Sequence, residues 1–194
     1  MQSSNIVDSL DVLQRFILAV VGAQDKAPIR ERLWLQKEIF LIANANELLA
    51  DASGFSPHLQ GPFSEAVDAA LDDLRSLGLV GYDNYGGHIH LTSAGVAAHE
   101  NLVRDMPKQV KEQVEDIKGS FNDLTEIELL VFIYYSYPAM TEESVHLEKV
   151  RKNRLPASIS LYKKGKVSLE KAAQIAGVNL LEFRQLIGGE EHRP

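Results

Sequence analysis

The stretch that decides the fold lies near the end of the chain and reads Val167-Ser-Leu-Glu-Lys-Ala-Ala-Gln-Ile-Ala-Gly-Val-Asn-Leu-Leu-Glu-Phe-Arg-Gln-Leu-Ile187. Ser168 favours the start of a helix, and Gly177 supplies the left-handed backbone conformation that ends one. Asn179 and Glu182, three residues apart, are typical of a capping box that begins a second helix. The first helix carries small side chains that allow close packing, at Ala172, Ala173 and Ala176. Together these signals predict a helix-turn-helix.

The second helix of this pair has two chemically different faces. Helical spacing turns Leu180, Phe183 and Ile187 inward and leaves Arg184 and Gln185 on the free face. Arginine and glutamine side chains can form hydrogen bonds with base edges in the major groove of DNA. We therefore expect Arg184 and Gln185 to approach bases.

Charge is distributed unevenly along the chain, whose formal net charge is −7. Residues 1–148 hold 10 Lys+Arg and 23 Asp+Glu, a balance of −13, whereas residues 149–194 hold 10 and 4, a balance of +6. Because positive side chains attract phosphates, we expect any affinity for nucleic acid in the tail. A basic run is also typical of a solubilising surface, and that alternative stays open. The predicted DNA-binding residues are the phosphate-neutralising Lys163, Lys164 and Lys166, together with Lys171, Asn179, Arg184 and Gln185.

Composition limits the class of protein. With 194 residues and 45% hydrophobic content, the chain can bury a core and has room for two small domains. The absence of cysteine excludes disulfides, thiolate zinc sites and cysteine nucleophiles. No apolar run approaches the roughly 20 residues that span a bilayer, and the first residues lack the basic region of a secretory signal. We therefore expect a cytoplasmic protein that does not bind membranes.

The first hundred residues show a regular order of predicted elements. Helical periodicity covers residues 5–21 and about 30–49, and a third helix runs from a cap at Ser64 to Leu77. After Gly78 apolar residues recur at every second position instead of with helical spacing, which predicts two β-strands joined in a hairpin. Its strands are expected at 79–82 and 88–91, with a turn at 83–87.

This region resembles the winged-helix family of prokaryotic proteins over about residues 5–105. The resemblance rests on Gly61-Pro-Phe-Ser64, Leu74-Arg-Ser-Leu-Gly-Leu-Val80 and Leu91-Thr-Ser-Ala-Gly95. It implies three helices followed by a small β-hairpin, and a role in contact with DNA or with protein.

The third predicted helix has the wrong charge for a helix that reads DNA. Between its cap and its end it holds a single Arg75 against four carboxylates, which would repel phosphates. We therefore favour dimerisation or partner binding for this module. Direct DNA reading, or DNA contact through the wing alone, remain alternatives. The four carboxylates are those of Glu65, Asp68, Asp72 and Asp73.

Residues 155–187 resemble a short prokaryotic antitoxin-like family with about one helix-turn-helix per chain. The resemblance implies DNA binding coupled to a toxin or another protein partner. The alternative is a helical hairpin that packs on the winged helix and binds nothing else. The matching residues are Tyr162, Gly165, Ser168, Leu169, Lys171, Ala172, Ala173, Ala176, Gly177, Val178, Phe183 and Leu186.

Between these modules the sequence predicts connecting and packing helices. Met106-Pro107 marks a break, and Thr125 with Glu128 forms a capping box that opens an apolar helix ending before Pro138. A charged helix is expected over residues 141–152.

Motifs of catalysis and metal binding are missing from the sequence. There is no phosphate loop, dinucleotide fingerprint, His-Glu-x-x-His or nucleophile elbow. His88 and His90 share one face of a strand, but no third ligand accompanies them, so we expect no metal and no cofactor.

These observations predict a mainly α protein: a winged helix of three helices plus a small β-hairpin, then a helical segment and a C-terminal helix-turn-helix. The predicted domains are 1–105, 106–148 and 149–194. We expect a non-enzymatic DNA-binding transcription regulator or antitoxin-like protein that forms a homodimer. The alternative is a protein–protein adaptor that does not bind nucleic acid.

Overall fold

A computed structural model of the chain describes residues 3–83 and 87–190. Within those ranges the protein is mainly helical, with twelve α-helices and one two-stranded antiparallel sheet. This confirms the predicted class of a mainly α chain with a small hairpin. No helix of the described ranges is long and apolar enough to cross a membrane.

The chain forms two compact units. The first comprises the chain up to Ser56 together with Pro62–Asp123, and the second comprises Pro57–Gly61 and the chain from Leu124 onward. The sequence had suggested domains of 1–105, 106–148 and 149–194. In the structure the helix of Lys108–Phe121 belongs to the first unit, and the helix of Glu126–Ser136 belongs to the second.

The first unit contains seven helices and the sheet within the described ranges. Both predicted strands are present, and they pair Val80 with Leu91 and Tyr82 with Ile89. Of the predicted turn at 83–87, residues 84–86 lie outside the described ranges. In chain order the elements are α1 (Ser3–Ser9), α2 (Val12–Lys26), α3 (Arg32–Ala43), α4 (Glu47–Ser53), α5 (Glu65–Ser76), β1 (Val80–Tyr82), β2 (Ile89–Leu91), α6 (Ser93–Asp105) and α7 (Lys108–Phe121).

The predicted start and end of α5 are confirmed. The Ser64 hydroxyl accepts a hydrogen bond from the backbone N–H of Val67 at 3.1 Å, which satisfies a donor at the free end of the helix. Gly78 adopts a φ of 70° where the chain leaves α5 for β1.

Two long predicted helices are each divided in the structure. The helix expected at 5–21 breaks before Asp11, which forms a capping box with Gln14 and begins α2. The helix expected at 30–49 ends at Ala43, and Asn46 caps α4 by accepting from Leu49 N at 3.0 Å. In both places the apolar period continues across a polar residue whose side chain competes for backbone hydrogen bonds.

The core of the first unit forms around α2 and α3. Side chains from both helices are completely buried, including Ile17, Leu18 and Ile39. Trp34 is only 4% exposed and belongs to this core.

The second unit contains five α-helices and a short 3-10 helix, Pro138–Met140, among its described residues. The predicted charged helix at 141–152 is shorter than expected and begins at Leu147. The preceding segment is instead held by Leu59, whose carbonyl accepts from Val145 N and from the Ser144 hydroxyl, both at 3.1 Å. The helices are α8 (Glu126–Ser136), α9 (Leu147–Lys152), α10 (Arg154–Lys163), α11 (Leu169–Ala176) and α12 (Leu180–Glu190).

Candidate nucleic-acid interface

The residues predicted to form a helix-turn-helix lie in two short helices, α11 and α12, with Gly177, Val178 and Asn179 between them. The Ser168 hydroxyl accepts from Lys171 N at 3.1 Å and caps α11. Gly177 ends that helix with a φ of 75°. The Asn179 side chain accepts from Glu182 N at 2.9 Å and caps α12. The local signals at these positions are therefore confirmed as helix boundaries.

A small apolar core holds α10, α11 and α12 together. Phe183 is completely buried at its centre. The Tyr162 and Phe183 rings pack edge to face, with their centroids 6.1 Å apart. Small residues on α11 allow this approach, as their size predicts. The buried members of the cluster are Ile159, Ala172, Ala173, Ala176 and Phe183.

Arg154 stabilises the turn of this motif. Its guanidinium donates hydrogen bonds to the carbonyls of Ile175 and Gln174 at the end of α11. A positive group at a helix C-terminus interacts favourably with the helix dipole. The same guanidinium lies 3.8 Å from the centre of the Tyr135 ring. Arg154 therefore has an internal structural role, although it lies in the positively charged tail of residues 149–194.

Glu128 on α8 binds Ser160 on α10 and Lys164, the residue that follows that helix. Its carboxylate accepts from the Lys164 ammonium at 2.7 Å and from the Ser160 hydroxyl at 2.6 Å. It also completes the predicted capping box with Thr125. Burial raises the pKa of Glu128, but hydrogen bonds from Lys164, Ser160 and Thr125 outweigh it and lower the pKa to about 2. Lys164, a predicted phosphate ligand, is thus held by a carboxylate.

Acidic residues of the second unit offset most of the positive net charge of residues 149–194. Lys149 binds Glu126 at 2.9 Å. Counted over the second unit, residues 57–61 and 124–194, there are 10 Lys+Arg and 9 Asp+Glu, a balance of +1. The acidic residues that α8 and the 142–148 segment contribute therefore offset the +6 of residues 149–194.

The other predicted lysines lie at different depths. Lys163 is exposed at the end of α10 and borders, with Lys164, a shallow cavity of about 320 Å³. Lys166 is half-buried in the turn between α10 and α11. Lys171 is half-buried too, with its ammonium 5.7 Å from the centre of the Phe132 ring. The predicted residues therefore lie on α10, α11, α12 and the segments that connect them.

The outward face of α12 presents the two predicted base-contacting residues. Arg184 and Gln185 are both exposed, opposite the buried Phe183. Leu181 lies on the same face, one turn nearer the start of the helix, and its side chain is 67% exposed. Helical spacing alone places Leu181 on the face of Arg184 and Gln185, so this exposed leucine was within reach of prediction from the sequence.

The acidic side chains of α5 are largely engaged within the first unit. Arg32 forms ion pairs with Asp68, at 3.3 Å, and with Asp72. Asp73 accepts a hydrogen bond from the Gln14 side chain at 3.3 Å. These carboxylates therefore contribute to packing as well as to the negative surface of the helix.

Buried charged residues of the first unit were not predicted. Lys37, Glu38 and Lys118 are each at most 1% exposed. Burial lowers the pKa of Lys37 to about 7, and the Lys37 ammonium donates to the Pro62 carbonyl at 2.8 Å. Burial raises the pKa of Glu38 and lowers that of Lys118, while the opposite charge of each partner acts against the shift. An apolar helical stripe conceals such residues in the sequence.

A left-handed turn follows the regular part of α2. Gln24, Asp25 and Lys26 have φ values of 51°, 52° and 63°, which are unfavourable for residues with side chains. Glu115 on α7 accepts from Gln24 N at 2.8 Å and from the Gln24 side chain at 3.0 Å. Lys118 donates to the carbonyls of Val21 and Ala23. Helix α7 therefore holds the turn.

Neither a metal site nor a known family accompanies these features. Over residues 3–83 and 87–190, no group of three or more histidine, aspartate or glutamate side chains could hold a metal ion. His88 instead lies 3.0 Å from the Asp83 carboxylate. The sequence matches no model of a protein family, and no curated protein is detectably similar to it.

Proposed function

We propose that the protein is a non-enzymatic DNA-binding regulator in which α12 enters the major groove. The observation that carries this proposal is the outward position of Arg184 and Gln185, on a helix whose opposite side is fixed by Phe183. A recognition helix needs such a division, because its buried face fixes the angle at which its exposed face meets the bases.

In this proposal the lysines around α12 contact phosphates and set affinity rather than sequence preference. Lys163 and Lys166 lie just before the helix pair and Lys171 lies on α11. Asn179 lies at the start of α12, where recognition helices approach the DNA. Lys164 contributes only by exchanging its Glu128 partner for a phosphate. Because the second unit has a balance of +1, its affinity for DNA is expected to be moderate and strongly dependent on salt.

The first unit is proposed to be a winged helix that mediates self-association or partner binding. Support comes from the order of α2, α3 and α5 before the β1–β2 hairpin, with α4 as an additional helix. A groove of about 440 Å³ in this unit is lined mainly by apolar side chains, including the exposed Val12 and Leu48. An exposed apolar groove favours contact with another protein, such as a toxin in the antitoxin-like interpretation.

A homodimer is the natural completion of this proposal. A single helix-turn-helix buries little surface on DNA, and two copies related by a two-fold axis contact two half-sites about one helical turn apart. The mass of the protein in solution tests this directly. We expect twice the mass of the 21.5 kDa chain.

The second candidate is a protein–protein adaptor that does not bind nucleic acid. It is favoured by the pairing of Lys149 and Lys164 with carboxylates and by the exposed Leu181 on α12. In that case α12 would bind an apolar patch of a partner protein.

Binding to DNA fragments at several salt concentrations separates these two candidates. The full chain is titrated against a pool of random duplexes at low and at physiological salt, with Lys108→Ala as the control. Lys108 carries a charge exposed to solvent in the first unit, 3.2 Å from Glu112. We expect binding that weakens steeply with salt, is reduced by Lys163→Ala, which removes an exposed positive charge of the second unit, and is unchanged by Lys108→Ala. If the protein does not bind DNA even at low salt, the DNA-binding proposal is rejected and the protein–protein adaptor is the candidate that is retained.

A further inference from the structure

We propose that Leu181 determines sequence preference by contacting the methyl group of a thymine in the DNA that α12 binds. This inference rests on the proposed DNA-binding function and adds a base identity to it. The side chain is 67% exposed, and it lies three and four residues before Arg184 and Gln185 on the outward face of α12.

The position of Leu181 in the helix favours a base contact. It is the second residue of α12, and the N-terminal residues of a recognition helix approach the base edges most closely. Its backbone is fixed, because Asn179 caps the helix and Phe183 anchors the opposite face in the core. An apolar side chain held there cannot bond to the polar edge of a base, but it can contact the thymine methyl group, which is the apolar feature of the major groove.

The neighbouring side chains restrict what Leu181 can meet. Arg184 pairs well with guanine, and Gln185 with adenine, through two hydrogen bonds each. Where Gln185 contacts an adenine, the paired thymine presents its methyl group in the same major groove. Leu181, one helical turn before Gln185 on the same face, is then placed to contact a thymine methyl group at or next to that base pair. Isolated exposed leucines occur on most protein surfaces, and only the shared face with Arg184 and Gln185 distinguishes this one.

The experiment replaces thymine by uracil, which lacks the methyl group and pairs identically. Duplexes that the full-length wild-type protein enriches from a random pool are resynthesised with one deoxyuridine at each thymine position in turn. The dissociation constant is measured for the wild type, Leu181→Ala and Val145→Ala. Val145 is the matched control, because it belongs to the same unit and is also 67% exposed.

We expect uracil at one or two positions to weaken wild-type binding about fourfold, the effect of losing one buried methyl contact. The same replacement should leave the Kd of Leu181→Ala unchanged, whereas Val145→Ala should retain the wild-type effect. Leu181→Gln tests the same point with a polar side chain and should also lose the response to the methyl group.

Three results would overturn the inference, and they differ in what else they remove. If uracil weakens binding of the wild type and of Leu181→Ala equally, another residue contacts the methyl group. If no thymine responds to replacement, Leu181 does not read one, although DNA binding itself stands. If no duplex is enriched, the proposed function fails together with this inference.

Discussion

Replacing Glu128 by glutamine should destabilise the second unit by about 2–3 kcal/mol at pH 7. The carboxylate, only 6% exposed, joins the N-terminal turn of α8 to Ser160 on α10 and to Lys164 directly after that helix. Lowering its pKa from 4.5 to about 2 corresponds to roughly 3 kcal/mol, at about 1.4 kcal/mol per pKa unit. Glutamine retains one acceptor oxygen but loses the charge, so most of this stabilisation is lost.

Urea unfolding at several pH values measures this effect. Because the folded-state pKa lies below the usual 4.5, the carboxylate stabilises the fold above about pH 5, and its contribution is lost as the pH falls from about 4.5 to about 2. Circular dichroism follows the helices of both units. The fluorescence of Trp34, the only tryptophan of the chain, reports the first unit separately. The wild type and Glu128→Gln should therefore differ at pH 7 and converge near pH 2.

Glu126→Gln is the matched control for this measurement. Glu126 occupies the same helical turn and binds Lys149, but both side chains are 42–51% exposed, so its replacement should cost less than about 1 kcal/mol. If Glu128→Gln were as stable as the wild type at pH 7, or if the two variants lost equal stability, the buried Glu128 carboxylate would not stabilise the fold as described.

Three further predictions concern packing and backbone conformation. Gly177→Ala should lower the free energy of unfolding in urea by about 2–3 kcal/mol, because the φ is 75° and a Cβ there would lie 2.5 Å from the Arg154 guanidinium. Gly165→Ala is the control: its φ is 68° but no atom lies near the added Cβ, so the loss should be about 1 kcal/mol. Equal losses would contradict this. The wild type should gain stability relative to Lys37→Met as the pH rises from 7 towards 10, because the unfolded chain then holds a proton that the buried amine has released. A constant difference would show that the amine is not buried. Glu115→Ala should accelerate hydrogen exchange at the left-handed turn by about tenfold, for the loss of roughly 1–2 kcal/mol of hydrogen bonding. Unchanged exchange would mean that α7 does not hold the turn.

The features that the sequence predicted well are those fixed within three or four residues. The caps at Ser64, Thr125, Ser168 and Asn179 each join a side chain to a backbone N–H three residues later, so both partners are visible in one short window. The left-handed glycine at 177 is a signal of the same range. These short-range signals define α11 and α12, and hence the outward face that carries the proposed function.

The features that the sequence did not reveal depend on distant partners. The partner of Lys164 is Glu128, 36 positions away, and Arg154 binds carbonyls some 20 positions away. Because neither pairing follows from local spacing, the tail appeared more basic than the folded unit is. The burial of Lys37 and Lys118 was hidden for the same reason, since helices that pack later in the chain decide it.

DNA reading by α12 is tested most sharply by the sequence preference of a variant that lacks both base-contacting side chains. The full-length wild type and the double variant Arg184→Ala, Gln185→Ala are titrated against a selected duplex and a scrambled duplex of equal length, at one low salt concentration. Both side chains are exposed, so the variant should fold normally. We expect the wild type to prefer the selected duplex at least tenfold, and the double variant to keep no more than about the fourfold preference that Leu181 would supply. An unchanged preference in the double variant would contradict this expectation.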